Sequence, residues 1–241
     1  MNTAVIITGQ ARSFAVCART LDWCLFRKLP NPHFFVSVAD DGDADSISLL
    51  KQKYPLEFEK VNQPHVGEPD PERKLDQHAG FQRSVPIQNI LRAFWHLERG
   101  YDFFKERAGD KEFEVVIRCR PDLWAQDFVL PDLTTLRTNE CWTPWWGTFG
   151  GVNDRLAIMG PKAAEKYFRV FSNREALWNR GCPLHPENRQ SAVLEDPDVL
   201  LVPRLLAEFR ILRKPDKTSP NYHVVPEAML PHELMAMIAL R

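Results

Sequence analysis

The run Glu114-Val115-Val116-Ile117-Arg118-Cys119-Arg120-Pro121-Asp122-Leu123-Trp124 constrains the fold more than any other stretch of the chain. Its apolar, β-branched start reads as a buried strand. Pro121 marks where that strand must stop, because proline has no N–H to give a sheet ladder. Strand alternation sends Val115, Ile117 and Cys119 to one face and Val116, Arg118 and Arg120 to the other. Two cations and a carboxylate therefore crowd the carboxyl end of one strand, which is where open α/β sheets bind ligands. Arginine pairs bidentately with phosphate, and a carboxylate suits a hard divalent cation. Two readings stand on these residues alone: a phosphate-and-metal corner, or a strand-end salt bridge between Arg120 and Asp122.

The chain before this run supplies a strand–turn–helix start. Ala4 to Thr8 is a short apolar run, followed at once by Gly9-Gln10-Ala11-Arg12-Ser13-Phe14. From Phe14 to Leu29 the apolar residues recur at helical spacing, and Pro30 and Pro32 end the segment. Neither GxGxxG nor GxxxxGK[ST] is present, so no dinucleotide fingerprint and no P-loop applies. Gly9 allows a backbone to approach a ligand closely, and Arg12 near a helix start could hold phosphate or could be a plain surface arginine. His33 to Ala39 is a second strand. The acidic run Asp40 to Asp45 after it reads as a turn that caps a helix through Lys51, with a metal-binding motif as the alternative. Leu56 to Val61 is a third strand. The polar, Pro- and Gly-rich segment 62–84 is long enough to act as a lid. Pro86 opens a helix with the apolar stripe Ile87, Ile90, Leu91, Phe94, Leu97, Tyr101.

Beyond Trp124, Glu140 to Gly147 reads as a strand ending in Trp145-Trp146. With the loop at Thr148 to Gly151 it would make a platform for a flat ligand such as a sugar, with core packing as the alternative, preferred for Trp142. Asn153-Asp154-Arg155 precedes a strand at Leu156 to Gly160, and Pro161 starts a helix running to Phe171. Asn188 to Leu194 reads as helical, and Val199 to Val202 and Glu208 to Arg213 as a final strand pair or a strand after a short helix. The remainder, Lys214 to Arg241, is Pro-punctuated and ends in a short helix from His232.

Length and charge narrow the classes. A chain of 241 residues fits one large α/β domain. A net charge of −1, from 31 basic and 32 acidic residues, argues against a general nucleic-acid or membrane-surface binder. The five cysteines lack zinc spacing and read as reduced thiols. No basic-then-apolar leader and no membrane-length apolar run is present, so the expectation is a cytoplasmic protein without a membrane span.

Five pieces in order resemble a family of nucleotide-sugar-dependent glycosyltransferases of GT-A type, found among bacterial surface-polysaccharide enzymes and in large algal viruses. They are Gly9 to Phe14, Phe34-Phe35-Val36-Ser37, Arg118 to Leu123, Asn153-Asp154-Arg155-Leu156-Ala157 and His185-Pro186-Glu187. The resemblance implies a single domain with a GT-A-like, Rossmann-related, mostly parallel twisted sheet flanked by helices. Residues 1–125 would form its nucleotide-binding half, 126–215 its acceptor-side half and 216–241 a C-terminal extension. Gly9, Gln10 and Arg12 would contact the nucleotide, Arg118 and Arg120 the diphosphate, and Asp122 a divalent Mn²⁺ or Mg²⁺. The chain departs from the Asp-x-Asp pattern common in such enzymes: it has Arg120-Pro121-Asp122, so arginine could supply part of the charge.

On this reading the protein is a hexosyl- or deoxyhexosyltransferase with a nucleoside diphosphate sugar donor, UDP among the candidates. The acceptor would be a glycan or other hydroxyl compound in polysaccharide or glycoprotein glycan synthesis. Glycosyl transfer needs cations to neutralise the departing diphosphate and, in an inverting enzyme, a base for the acceptor hydroxyl. Asp154 is the first candidate for that base and Glu187 the second. The alternatives are an ion pair of Asp154 with Arg155 or a turn cap there, and a structural His185. Two rival functions stand beside it: a catalytically silent nucleotide- or sugar-binding module, and a sugar nucleotidyltransferase. The latter calls for a Gly-rich triphosphate loop with a downstream Lys, which the chain lacks.

Overall fold

The structure is a computed structural model that describes residues 1–11, 13–40, 47–66, 87–146 and 151–211, with side chains in the last strand as far as residue 206. In chain order the elements are β1 (Thr3–Gly9), α1 (Phe14–Cys24), a 3₁₀ turn at Phe26–Lys28, β2 (Pro32–Ala39), α2 (Ser48–Lys53) and β3 (Leu56–Val61). They continue with α3 (Ile87–Ala108), β4 (Val115–Cys119), β5 (Leu123–Val129), a 3₁₀ turn at Leu133–Thr135, β6 (Glu140–Pro144) and β7 (Leu156–Met159). α4 (Pro161–Tyr167), α5 (Arg174–Asn179), α6 (Pro186–Leu194) and β8 (Leu200–Ile211) complete the series.

All eight strands belong to one sheet in the order β3-β2-β1-β4-β7-β6-β8-β5. β3, β2, β1 and β4 run parallel. β7 is antiparallel to both β4 and β6, β8 is parallel to β6, and β5 is antiparallel to β8. The α/β sheet flanked by helices is the expected class, in mixed form: its first half is parallel and its second half is not.

Strand alternation sorts the core into two layers, one on each sheet face. Val5, Ile7, Phe34, Val36, Val115, Ile117, Leu156 and Ile158 pack with α1 and α2. Their neighbours Ala4, Ile6, Phe35, Val116, Ala157 and Met159 pack with α3, α4 and the segments after it. Covered on both faces, β1 and β4 are apolar almost throughout, as buried parallel strands must be. α3 lies close over β1 because Gly100 has no side chain: a Cβ there would sit 2.0 Å from Thr8 Cγ2.

β5 follows β4 immediately in sequence yet stands at the far edge of the sheet. The sheet curls, so β5 comes back to cover α1. The Ala125 N–H donates to Thr20 Oγ1 at 3.1 Å, and Lys28 Nζ donates to the Phe128 carbonyl at 2.9 Å.

Several boundaries differ from expectation. The helix expected from Phe14 to Leu29 ends at Cys24 and tightens into the 3₁₀ turn. The helix from Pro161 stops at Tyr167. The two final strands are one, β8, which pairs with β6 through Leu205 and with β5 from Leu206 onward. Trp142 is fully buried and its Nε1–H donates to Glu140 Oε2 at 3.1 Å, the core role expected of it. All five cysteines are thiols. Among the described residues, no helix is long and apolar enough to cross a membrane.

Candidate functional site

β1 and β4 run side by side, with Ile7 opposite Cys119, so their carboxyl ends open together. Past those ends lie Gly9-Gln10 and Arg120-Pro121-Asp122, and here a cavity of about 260 Å³ opens beneath α3. Gly9 has φ +123°, a conformation that side-chain-bearing residues rarely adopt, and it turns the chain beside Pro121. The cavity collects Gly9, Gln10, Arg118, Arg120, Asp122 and Asp154 from the sheet side. These are six of the eight site residues the sequence suggested.

The arginines are held by specific partners. Arg120 makes two parallel bonds to Asp122, Nε to Oδ1 and Nη2 to Oδ2, each 2.8 Å. Its Nη1 donates to Asp154 Oδ2 at 3.3 Å. Burial opposes the charge on Arg120, but Asp122, with Asp154 and Glu187 behind it, holds the guanidinium pKa above its ordinary value. Arg118 donates from Nη1 to the Arg155 carbonyl at 2.7 Å, and the Arg120 backbone N–H reaches the same oxygen at 3.2 Å. That carbonyl is set in place by Asn153, whose Oδ1 accepts the Arg155 N–H and whose Nδ2 donates to the Trp146 carbonyl. Arg118 Nε is buried without a hydrogen-bond partner.

The strand-end salt bridge, one of the two readings, is present, and it borders the cavity. Asp154 pairs with Arg120, and the Arg155 guanidinium lies over the Trp146 ring instead. Glu187 does not line the cavity. It is buried at the start of α6, with Oε2 2.5 Å from His185 Nδ1, and Pro186 and Gln190 represent that helix at the site. A Cβ at Gly151 would lie 2.1 Å from the Glu187 carbonyl, so the strand entering β7 rides directly on the start of α6. Arg12, the run 41–46 and most of the expected lid fall outside the described residues.

The carboxylates do not fit a divalent cation as arranged. Both Asp122 oxygens face Arg120, whose guanidinium stands between Asp122 and Asp154 where a shared cation would sit. Among the described residues, no three His, Cys, Asp or Glu side chains converge to hold a metal. A thiol nucleophile is also absent here: burial pushes the nearby Cys17 and Cys119 up to about 12.

The second wall was not expected. Asn89, Arg92 and His96 enter the cavity from α3. Their spacing of three and four is one helical stripe, beside the apolar stripe that identified the helix. That polar stripe was the available signal. Arg92 Nε donates to the Pro64 carbonyl at 3.3 Å. His96 is 2% exposed, and neither ring nitrogen has a hydrogen-bond partner. Burial, and secondarily the charge of Arg92, lower its pKa to about 4, so the ring is neutral at pH 7.

The model of a family described as "Domain of unknown function (DUF7796)" matches residues 1–177, a span that holds every cavity residue except those of α6. No curated protein matches the chain. Among solved structures, galactosyltransferase LgtC in complex with donor and acceptor sugar analogs is 15% identical with a TM-score of 0.47, covering 83% of this chain and 73% of that one. An active-site mutant of LgtC is 13% identical with a TM-score of 0.44, covering 83% and 72%. Likeness at this level carries no argument about activity.

Proposed function

The chain belongs to the DUF7796 family, and we propose that it is a glycosyltransferase taking a sugar from a nucleoside diphosphate sugar to a hydroxyl acceptor. The observation that carries this reading is the convergence of Gly9, Gln10, Arg118, Arg120 and Asp154 on one cavity at the carboxyl ends of β1 and β4. In the reaction the bond from the anomeric carbon to a diphosphate oxygen breaks and a bond to the acceptor oxygen forms. Negative charge grows on the leaving diphosphate, and the acceptor gives up a proton.

Arg120, clamped by two carboxylates, is oriented before any ligand arrives, which is what stabilising a developing charge requires. Arg118 offers its unpartnered Nε to the same group. Gly9 and Gln10 let the nucleotide backbone lie against the β1 turn. Asp154 serves as the base: its side chain is 17% exposed against 7% for Asp122, and its single 3.3 Å contact leaves it available to an acceptor. Glu187, facing His185, supports the site through its charge on Arg120.

The arginines take the neutralising role as the donors are arranged. Mn²⁺ or Mg²⁺ at Asp122 would require that carboxylate to leave Arg120. We assign residues 1–125 to the donor side and 126–215 to the acceptor side, with a hexose or deoxyhexose donor, a glycan acceptor and a cytoplasmic setting.

A melting screen with UDP, GDP, dTDP and CMP, with and without Mn²⁺, tests the reading. One diphosphate should raise the melting temperature by a few degrees without metal, and Asp154→Asn should keep that shift while losing sugar transfer. No shift with any nucleotide overturns the proposal. Binding without turnover of the matching sugar nucleotide leaves the binding module as the function. A shift that needs Mn²⁺ and is lost in Asp122→Ala restores the metal at Asp122.

A further inference from the structure

Among the described cavity residues, His96 has both ring nitrogens buried without a hydrogen-bond partner. It sits on α3 one turn after Arg92, and both nitrogens are closed off from solvent. A buried imidazole with two orphaned nitrogens is costly, and such an orphan in a native fold calls for an explanation. The groups facing the same space explain it. Arg92 comes from the same helix, Arg118, Arg120 and Asp122 from β4 and its turn, and Asp154 from the approach to β7. Gln10, Gln63 and Gln190 add neutral amides. Asp122 and Asp154 are both engaged by Arg120, so among the described residues Arg92 and Arg118 are the cations that favour an anionic occupant.

We propose that His96 binds the phosphate groups of the ligand as an imidazolium, taking up one proton as they enter. This rests on the nucleoside diphosphate reading of the cavity. A neutral imidazole carries one N–H and one lone pair, whereas an ionised phosphate offers acceptors only. Such a ligand satisfies both orphaned nitrogens only if each carries a proton. In the empty cavity Arg92 opposes that proton; an entering anion reverses the sign of the local charge. The step balances simply: one proton passes from solvent to the imidazole, and no covalent bond changes. The lowered pKa of the empty site is the starting state this requires, since a ring already charged would take up nothing.

The test is calorimetric titration of the full chain with UDP and, separately, with inorganic pyrophosphate, in two buffers of different ionisation heat. Near pH 6 the wild type should take up close to one more proton per site than His96→Gln, a difference that removes the ligand's own titration. The ratio of wild-type to variant affinity should fall roughly tenfold per pH unit as pH rises from the empty-site pKa of about 4 toward the raised pKa of the complex and level off above it, with the variant at least about tenfold weaker near pH 6. Imidazole ¹⁵N spectra of wild type with pyrophosphate give a second readout that needs no variant: two protonated nitrogens on His96 are expected. A neutral ring in the complex, or equal proton uptake in wild type and variant, overturns the proposal while leaving the nucleotide reading intact. No binding of either ligand to the wild type overturns both.

Discussion

The two walls of the cavity place ionisable side chains in a largely buried setting in opposite ways. On the sheet wall Arg120 is clamped by Asp122 and Asp154, and Arg118 and the Arg120 backbone N–H share one carbonyl, with Arg118 Nε left without a partner. On the helix wall, among the described residues, Arg92 bonds a backbone carbonyl, and the His96 ring packs against Trp95 with no hydrogen-bond partner for either nitrogen. A matched wall costs little to keep and is rigid before binding, so it suits orientation. An unmatched wall is held in place by the fold and is completed only by what enters, so it suits recognition. On the proposed reading, the sheet wall is set before binding and the helix wall is completed by the ligand.

That contrast can be broken at its strongest point first. Arg120→Ala would leave the buried Asp122 carboxylate beside Asp154 with no cation between them. Removing one partner of a buried pair costs about 3–5 kcal/mol, to be read from urea unfolding. Arg120→Lys should recover only part of it, because one ammonium cannot make both 2.8 Å bonds. A cost below about 1 kcal/mol would mean that the sheet wall is not locked by charge.

The helix wall is probed by acid. The unfolded chain takes a proton on this histidine near pH 6.5, the folded His96 only near about 4. Between those values the unfolded state binds more protons, so stability falls as pH falls from 6.5 to 4 and levels off below. The loss is at most roughly 3 kcal/mol. His96→Leu should flatten that part of a melting-temperature profile; an unchanged slope would place the titrating group elsewhere.

The smallest effect concerns what sets the walls apart. Gly100→Ala drives a methyl into Thr8 and should cost about 1–3 kcal/mol. Thr8→Ser removes the methyl it meets, so the double variant should regain most of the loss in a double-mutant cycle. Purely additive costs would show that α3 does not bear on β1 at this point.

The same contrast explains what could be read without a structure. The sheet wall was legible because alternation in β4 puts Arg118 and Arg120 on one face, and because a glycine straight after an apolar strand signals a turn. Both are rules of a few residues. α3 was legible as a helix from its apolar stripe. Which of its polar residues meet the cavity depends on how the helix crosses the sheet, and that is decided by Gly100 against Thr8, groups far apart in sequence. Glu187 shows the converse: the residue type suited a site, but its helix turns it toward His185. The curl of the sheet was illegible for a related reason. β5 has local strand character, and nothing near it says that its partner lies past residue 205.

The long wait between β5 and β8 bears on the order of folding. Chain through β4 can assemble the parallel strands and α1 from contacts already made. Leu123–Val129 then emerges as a strand whose ladder partner in the described structure is Leu206–Ile211. Loop closure of that span comes late and is entropically costly. Until it occurs, β5 is an open edge next to an incompletely covered α1, the kind of surface that pairs with another chain. The β5–β8 edge, which gives no described residue to the cavity, is therefore where a nascent chain is most exposed to misassembly.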